Sequence, residues 1–112
     1  MRLVIIESPY AGDVERNLRY LRACLRDCLD RGESPYASHG LYPQQGVLDD
    51  KDASARKLGM MAGFAWREVA HATVVYEDLG ISSGMAQGVA VAKCLDHPVE
   101  YRKLGGEWEG LA

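Results

Sequence analysis

The residues best suited to chemistry form one loop that joins a predicted strand to a predicted helix. The loop carries two carboxylates followed by small or hydroxyl-bearing residues: Glu77, Asp78, Gly80, Ser82, Ser83 and Gly84. Unpaired backbone N–H groups and the helix dipole favour an anion at the start of a helix. The loop therefore predicts a site for a phosphate or a sugar, while Gly and Ser also begin helices for purely structural reasons.

The elements around this loop alternate between strands and helices. Apolar, β-branched segments predict four strands, at about residues 3–7, 34–37, 72–76 and 98–103. Apolar residues spaced by three and four predict three helices between them, at about residues 13–31, 52–70 and 83–95. This order predicts an α/β fold, with a parallel four-stranded sheet, right-handed crossovers, helices on both faces and strand order 2-1-3-4.

The predicted strand order places a switch point between strands one and three. Ligands of such sheets bind at the carboxyl ends of the strands, beside the switch point. We therefore expect Ser8, Pro9 and Tyr10, which follow strand one, to share a cleft with residues 77–84. The irregular segment 38–50 is expected to arch beside that cleft, because long loops in small domains usually serve a site.

The second and third helices are apolar over much of their surface. In the second helix, an apolar stripe predicts core packing or a subunit contact, and it includes Leu58, Met61, Trp66 and Val69. The third helix has almost no charge before Lys93, so we expect it to be buried on more than one side. A small monomer cannot easily cover such a helix, and the sequence therefore predicts a homo-oligomer.

The composition is that of one soluble domain. We expect the domain to cover residues 1–104 and to be followed by a tail, 105–112, with Trp108 as an aromatic anchor. A net charge of −3 argues against polymeric nucleic acid as a partner, and no apolar run is long enough for a membrane span. The N-terminus does not resemble a secretory signal, which favours the cytoplasm. Three cysteines lack metal-site spacing, so no metal or cofactor is predicted.

Several motifs, taken together in their order, resemble one protein family. They are Ser8-Pro9-Tyr10 with Gly12 and Asp13, Asn17, His39 with Tyr42-Pro43-Gln44, Leu48-Asp49-Asp50, Gly80-Ile81-Ser82-Ser83-Gly84-Met85, and Pro98-Val99. Over about residues 3–104, the chain resembles small phage- and bacteria-associated domains of unknown function related to nucleoside 2-deoxyribosyltransferases. The resemblance implies a flavodoxin-like, Rossmann-like three-layer sandwich that binds a nucleoside or nucleoside monophosphate and acts on its N-glycosidic bond.

The resemblance also implies roles for individual residues. Tyr10 would orient an attacking carboxylate, and Asp78 or Glu77 would contact the base. Ser82 and Gly84 would hold a phosphate. The other residues expected to contact the ligand lie in the same motifs: Ser8, Pro9, Gly12, His39, Gly80 and Ser83.

One position departs from the pattern that the resemblance implies, namely a nucleophilic glutamate on the third helix. Counting back from Pro98, that position falls on Gly88, or on Gln87 in a register shifted by one. Neither glycine nor a neutral amide can attack an anomeric carbon, which requires an ionised carboxylate. The sequence therefore predicts a protein that binds a nucleoside or nucleotide with weak or no turnover.

Two alternatives remain open at this point. In the first, Glu77 or Asp78 replaces the missing carboxylate, and the protein is an active N-glycosidic hydrolase or deoxyribosyltransferase. In the second, the chain is a structural module whose third helix forms an oligomer interface.

Overall fold

The computed structural model describes residues 1–111, which form a four-stranded parallel sheet with helices on both faces. The strands are β1 (Arg2–Glu7), β2 (Glu33–Tyr36), β3 (Ala72–Tyr76) and β4 (Val99–Arg102), and the helices are α1 (Val14–Asp30), α2 (Ala53–Ala65) and α3 (Ser83–Cys94). The strand order is β2-β1-β3-β4, and every pair is parallel. The predicted flavodoxin-like fold is therefore confirmed. Ala112, the last residue of the predicted tail, lies outside the described residues.

Helix α1 covers one face of the sheet. Asp13 caps its N-terminus, where the Asp13 side chain accepts a hydrogen bond from the backbone N–H of Arg16 at 3.2 Å. The side of α1 that faces the strands is buried and includes Tyr20, Leu21, Cys24 and Cys28. These residues form the main core together with strand residues such as Val4, Ile6 and Val74. The spacing of three and four along α1 is thus realised as one packed face.

The C-terminal segment also packs against α1. Trp108 is buried, and its ring lies edge-on to that of Tyr20 with a centroid distance of 4.9 Å. Arg16 lies over the indole ring and pairs with Glu109 at 2.9 Å. These contacts hold the short 3-10 turn Trp108–Leu111 on the helix.

Helix α3 lies on the opposite face of the sheet, with one side buried. The buried side comprises Met85, Gly88, Val89 and Ala92. The outer side is exposed and includes Ala86, Gln87, Ala90 and Lys93. The single chain buries one side of this helix, because the sheet offers only one surface for it to pack on, and burial of the outer side by a second subunit stays a prediction.

Helix α2 turns a different face inward from the one that its apolar stripe predicts. Leu58 and Met61 are each 58% exposed, and the stripe stays exposed through Trp66 and Val69, beyond the end of the helix. The buried side instead carries Gly63, where a Cβ atom would lie 2.6 Å from Oγ of Ser38. Glycine permits this close approach, so the prediction of core packing for the stripe is wrong. None of the helices within residues 1–111 has the length and apolar character of a membrane span.

Candidate functional site

A cleft opens at the carboxyl edge of the sheet, between the end of β1, the segment 38–50, α2 and the start of α3. We call it the edge cleft. It brings together six of the residues that the sequence nominates, namely Ser8, Tyr10, His39, Ser82, Ser83 and Gly84. Further lining residues come from the long segment, including Tyr42, Pro43, Leu48 and Asp50. The long segment therefore forms one wall of the cleft.

Ser8 and His39 form a polar pair in the edge cleft. Oγ of Ser8 lies 2.6 Å from Nε2 of His39. Burial lowers the pKa of His39 to about 4, since a charged imidazolium loses its hydration in this enclosed position. The imidazole is therefore neutral at physiological pH and can exchange one hydrogen bond with the Ser8 hydroxyl.

Tyr10 is held in place by the loop that follows β1. Its hydroxyl donates a hydrogen bond to the carbonyl oxygen of Pro43 at 3.1 Å. The Asn17 side chain donates to the backbone carbonyl of Tyr10 at 2.8 Å. Burial and the nearby charge of Asp50 raise the pKa of the Tyr10 hydroxyl. Tyr10 is thus a protonated phenol that ties the β1 loop to the segment 38–50.

The N-terminus of α3 enters the edge cleft with unpaired backbone donors. Ser82 is the N-cap, and its Oγ accepts a hydrogen bond from the backbone N–H of Met85 at 3.2 Å. The N–H groups of Ser83 and Gly84 donate no hydrogen bond within residues 1–111. A Cβ atom on Gly84 would have no neighbour within 4 Å, so this turn is open to a ligand. Such a position suits an anion.

Glu7 is a lining residue that the sequence did not nominate. It ends β1, and side-chain alternation directs it to the face that carries α2 and α3. Oε2 of Glu7 accepts a hydrogen bond from Nη2 of Arg67 at 2.7 Å. Burial raises the pKa of the Glu7 carboxyl to about 7, and the positive charge of Arg67 opposes this rise only in part.

Arg67 supports Glu7 from the 3-10 turn Trp66–Glu68. Its side chain is 1% exposed, and its guanidinium lies 5.5 Å from the ring centroid of Phe64. Nε of Arg67 is buried without a hydrogen-bond partner among the described residues. The guanidinium therefore depends on Glu7 for its ion pair.

Gly88 lies directly against Glu7. A Cβ atom on Gly88 would be 2.5 Å from Cδ of Glu7, which is closer than real Cβ atoms approach other groups. Gln87 is exposed on the outer side of α3. Of the two registers that the sequence leaves open, the one at Gly88 is therefore the one that lies against Glu7, and Glu7 lines the cleft.

The loop carboxylates Glu77 and Asp78 do not line the edge cleft. Asp78 accepts hydrogen bonds from the Tyr20 hydroxyl at 2.6 Å and from the backbone N–H groups of Leu104 and Gly105. Burial by itself would raise the pKa of Asp78, but these hydrogen bonds outweigh it and the pKa lies below its usual value. Asp78 thus fastens the C-terminal segment to α1.

Three other nominated residues also lie outside the lining of the cleft, namely Pro9, Gly12 and Gly80. Gly12 and Gly80 are exposed turn residues with φ of 97° and 85°, and this left-handed backbone explains why glycine occupies them. Pro9 is buried between Ser8 and Tyr10 and helps to shape the loop.

The remaining walls of the edge cleft are mostly apolar, and they carry two charged side chains, one from the segment 38–50 and one from α2. Met60, Phe64 and Met85 supply much of the apolar surface, while Asp50 and Arg56 supply the charges. A local sequence signal for Glu7 exists, because it shares a strand face with Ile5 and yet is charged. Arg67 has no comparable signal, since it reads as an ordinary polar helix residue.

Comparisons with known proteins assign the chain to a family and the fold to a known type. Residues 2–102 match a family described as Domain of unknown function (DUF7768). No curated protein matches the chain. Among solved structures, the chain is similar to a 2-deoxyribosyltransferase from the psychrotolerant bacterium Bacillus psychrosaccharolyticus, described as a biocatalyst for the synthesis of antiviral and antitumoral nucleosides. The match has 16% identity and a TM-score of 0.70, and it covers 94% of this chain and 74% of that chain. At this identity the similarity shows the fold alone.

Proposed function

We propose a function for this chain, which belongs to the family described as Domain of unknown function (DUF7768): it binds a nucleoside or a nucleoside monophosphate in the edge cleft. One observation carries the proposal. The cleft joins the open N-terminus of α3, a buried carboxylate at Glu7 and apolar walls in one space. A phosphate, a sugar and a base require these three kinds of surroundings, respectively.

The phosphate subsite is proposed at Ser83 and Gly84. Two consecutive N–H groups that lack partners can donate to phosphate oxygens, and the dipole of α3 adds a favourable field. The hydroxyl of Ser82 already caps the helix, so Ser82 orients the turn while the backbone makes the contact.

The sugar and base subsites are proposed deeper in the cleft. Sugar hydroxyls can donate to Glu7, and Ser8 with His39 can supply further hydrogen bonds. The base would pack against the apolar and aromatic side chains of Met60 and Phe64. The similarity in fold to an enzyme used for nucleoside synthesis supports this class of ligand.

Calorimetry with deoxynucleoside monophosphates and the matching nucleosides tests the proposal. We expect the native protein to bind the monophosphates about tenfold or more tightly than the nucleosides, because the phosphate adds charge-assisted hydrogen bonds. Gly84→Val should remove this preference, since its side chain would fill the space in front of the helix N-terminus. Gly106→Val is the matched control, because Gly106 also has open surroundings but lies outside the cleft.

Two results would contradict the proposal. If Gly84→Val keeps the native preference for monophosphates, the start of α3 is not the phosphate subsite. If neither ligand class binds the native protein at millimolar concentration, the edge cleft is not a nucleoside site.

A second candidate function is cleavage or transfer at the N-glycosidic bond. The prediction of weak or absent turnover depended on the lack of a carboxylate at position 87 or 88. Glu7 supplies a carboxylate beside Gly88, and this observation favours an active site. Base release by the native protein from deoxynucleosides or their monophosphates is the measurement that separates an enzyme from a binding protein.

A further inference from the structure

The carboxylate of Glu7, which lines the edge cleft, occupies the space that a side chain at position 88 would need. Glu7 ends β1, and Gly88 lies on the buried side of α3. Because a Cβ atom on Gly88 would lie 2.5 Å from Cδ of Glu7, no side chain fits at position 88 while Glu7 is in place. Glu7 of β1 therefore places a carboxylate in the space that a side chain at position 88 of α3 would otherwise fill.

Glu7 neutralises the buried guanidinium of Arg67, but a sheet edge can be packed without a buried ion pair. The Glu7 side chain is 14% exposed, and Arg67 is the one residue within residues 1–111 that forms an ion pair with it. Apolar side chains at both positions would avoid the loss of hydration that the two charges undergo. Burial raises the pKa of Glu7 to about 7, and ionisable groups that are perturbed in a cleft concentrate at functional sites.

We propose that Glu7 is the catalytic carboxylate of the edge cleft and attacks the anomeric carbon of a bound deoxynucleoside or its monophosphate. This inference rests on the proposed function. Oε2 of Glu7 is engaged by Arg67, whereas Oε1 accepts no hydrogen bond within residues 1–111 and is the attacking atom. Carboxylates attack anomeric carbons in this way when a covalent glycosyl intermediate forms.

The reaction balances with water as the co-reactant. A bond forms between Oε1 and C1′ while the C1′–N bond breaks, and its electron pair leaves with the base. The base takes a proton from a water molecule. The resulting hydroxide attacks C1′, the bond to Oε1 breaks, and the Glu7 carboxylate is restored. One nucleoside and one water thus give one free base and one free sugar.

Arg67 is a positioning residue in this scheme. Its hydrogen bond to Oε2 fixes the carboxylate, and its charge favours the ionised form that attacks. Replacing Arg67 with Gln removes the charge that lowers the pKa of Glu7. The acidic limb of the pH–rate profile should then move to higher pH, which loss of packing alone would not cause.

Base release and ligand binding, measured on the same variants, test the inference. We expect Glu7→Gln to lower the turnover number by about 100-fold or more and to weaken monophosphate binding far less, because the amide oxygen of Gln can still accept from the sugar hydroxyls. Glu68→Gln is the matched control, because Glu68 is exposed and outside the cleft. A deoxynucleoside analogue with fluorine at C2′ should add its sugar mass to the peptide that contains Glu7.

A carboxylate exchange gives an independent test should Glu7→Gln alter the fold. Glu7→Gly vacates the space, and Gly88→Glu in the same chain returns a carboxylate from the helix. We expect this double variant to release base about tenfold or more faster than Glu7→Gly alone. Equal rates of base release by Glu7→Gly and by the double variant would contradict the inference that carboxylates at positions 7 and 88 occupy the same place.

The outcomes distinguish this inference from the proposed function. If no nucleoside or nucleotide binds the native protein, the proposed function fails. If ligands bind but the native protein releases no base, or if Glu7→Gln leaves base release unchanged, the role of Glu7 is overturned while the binding proposal stands. Loss of base release in Glu77→Gln or Asp78→Asn, but not in Glu7→Gln, would assign the attack to the loop and also overturn it.

Discussion

A Cβ atom on Gly88 would lie 2.5 Å from Cδ of Glu7, so any side chain at this buried position of α3 would force the carboxylate at the end of β1 out of its present place. This relationship determines what a glutamate introduced at position 88 of the third helix would do. In the native background, Gly88→Glu would displace the carboxylate that Arg67 holds. We therefore expect this substitution to support base release only when Glu7 is also replaced, since residues in direct contact act non-additively.

The ionisation of Glu7 should lower the stability of the native protein at neutral and alkaline pH. Because the pKa is raised from 4.5 to about 7 on folding, the folded state binds this proton more tightly than the unfolded chain. The stabilisation from this more tightly bound proton is therefore fully present below about pH 4.5 and is lost as the pH rises through about 7. As the pH rises from 4 to 8, the free energy of unfolding of Glu7→Gln should therefore increase by about 3 kcal/mol relative to that of the native protein.

Urea unfolding at several pH values measures this gain, with Glu68→Gln as the exposed control. His39 has the opposite pH dependence, because folding lowers its pKa from 6.5 to about 4. The stability that the neutral imidazole contributes is lost as the pH falls from 6.5 to about 4. The comparison of native protein with Glu7→Gln cancels the effect of His39. A difference between the two proteins that stays constant with pH would show that Glu7 titrates normally.

Local sequence patterns were sufficient to predict the fold and to bring six of the nominated residues into the lining of one cleft. The spacing along α1 and the apolar strands determine the layers, and strand order then brings Ser8 and His39 to the same edge as Gly84. The contact of Glu7 with Gly88 could not be predicted in this way, because the two residues are 81 positions apart in sequence. Long-range contacts of this kind leave no periodic pattern.

The same limit explains the face of α2 that the sequence misassigned. Hydrophobicity favours burial of the stripe that contains Leu58 and Met61, but Gly63 permits a closer approach to Ser38 on another side of the helix. Steric fit therefore decided the rotation of α2. Asp78 shows a similar limit. An acidic residue at the end of a strand indicates a ligand site, yet the oxygens of Asp78 accept hydrogen bonds from the backbone N–H groups of Leu104 and Gly105.

Asp78→Asn should destabilise the protein without weakening nucleotide binding. The variant loses the negative charge that accepts hydrogen bonds from Tyr20, Leu104 and Gly105, with an expected loss of about 1–3 kcal/mol. Because the pKa of Asp78 is lowered on folding, its contribution is present above the unfolded value of 3.8 and is lost as the pH falls through the folded value. Urea unfolding followed by tryptophan fluorescence measures the change. A normal unfolding free energy with impaired nucleotide binding would instead support the base-contacting role.

The exposed stripe on α2 predicts self-association. Leu58 and Met61 place adjacent apolar side chains on the surface, and Trp66 and Val69 extend the stripe. We expect the native protein to form a homo-oligomer, and Met61→Glu should weaken it by about tenfold or more, because a charge would be buried at the contact. Light scattering across micromolar concentrations measures the mass. Arg19→Glu on the exposed surface of α1 is the control, and a monomeric native protein would exclude this interface.

The contact between Glu7 and Gly88 predicts opposite effects of one substitution in two backgrounds. In the native protein, Gly88→Ala should destabilise by about 1–3 kcal/mol, because the methyl group forces the Glu7 carboxylate away from Arg67. In a Glu7→Ala background the space is free, and the same substitution should stabilise by about 0.5–1 kcal/mol through the higher helix propensity of alanine. Urea unfolding of the four proteins gives the coupling energy. Gly84→Ala, which meets no neighbour within 4 Å, is the control for alanine in α3. A coupling energy near zero would mean that Glu7 moves aside without resistance, and the carboxylate would then lack the fixed position that attack on a sugar requires.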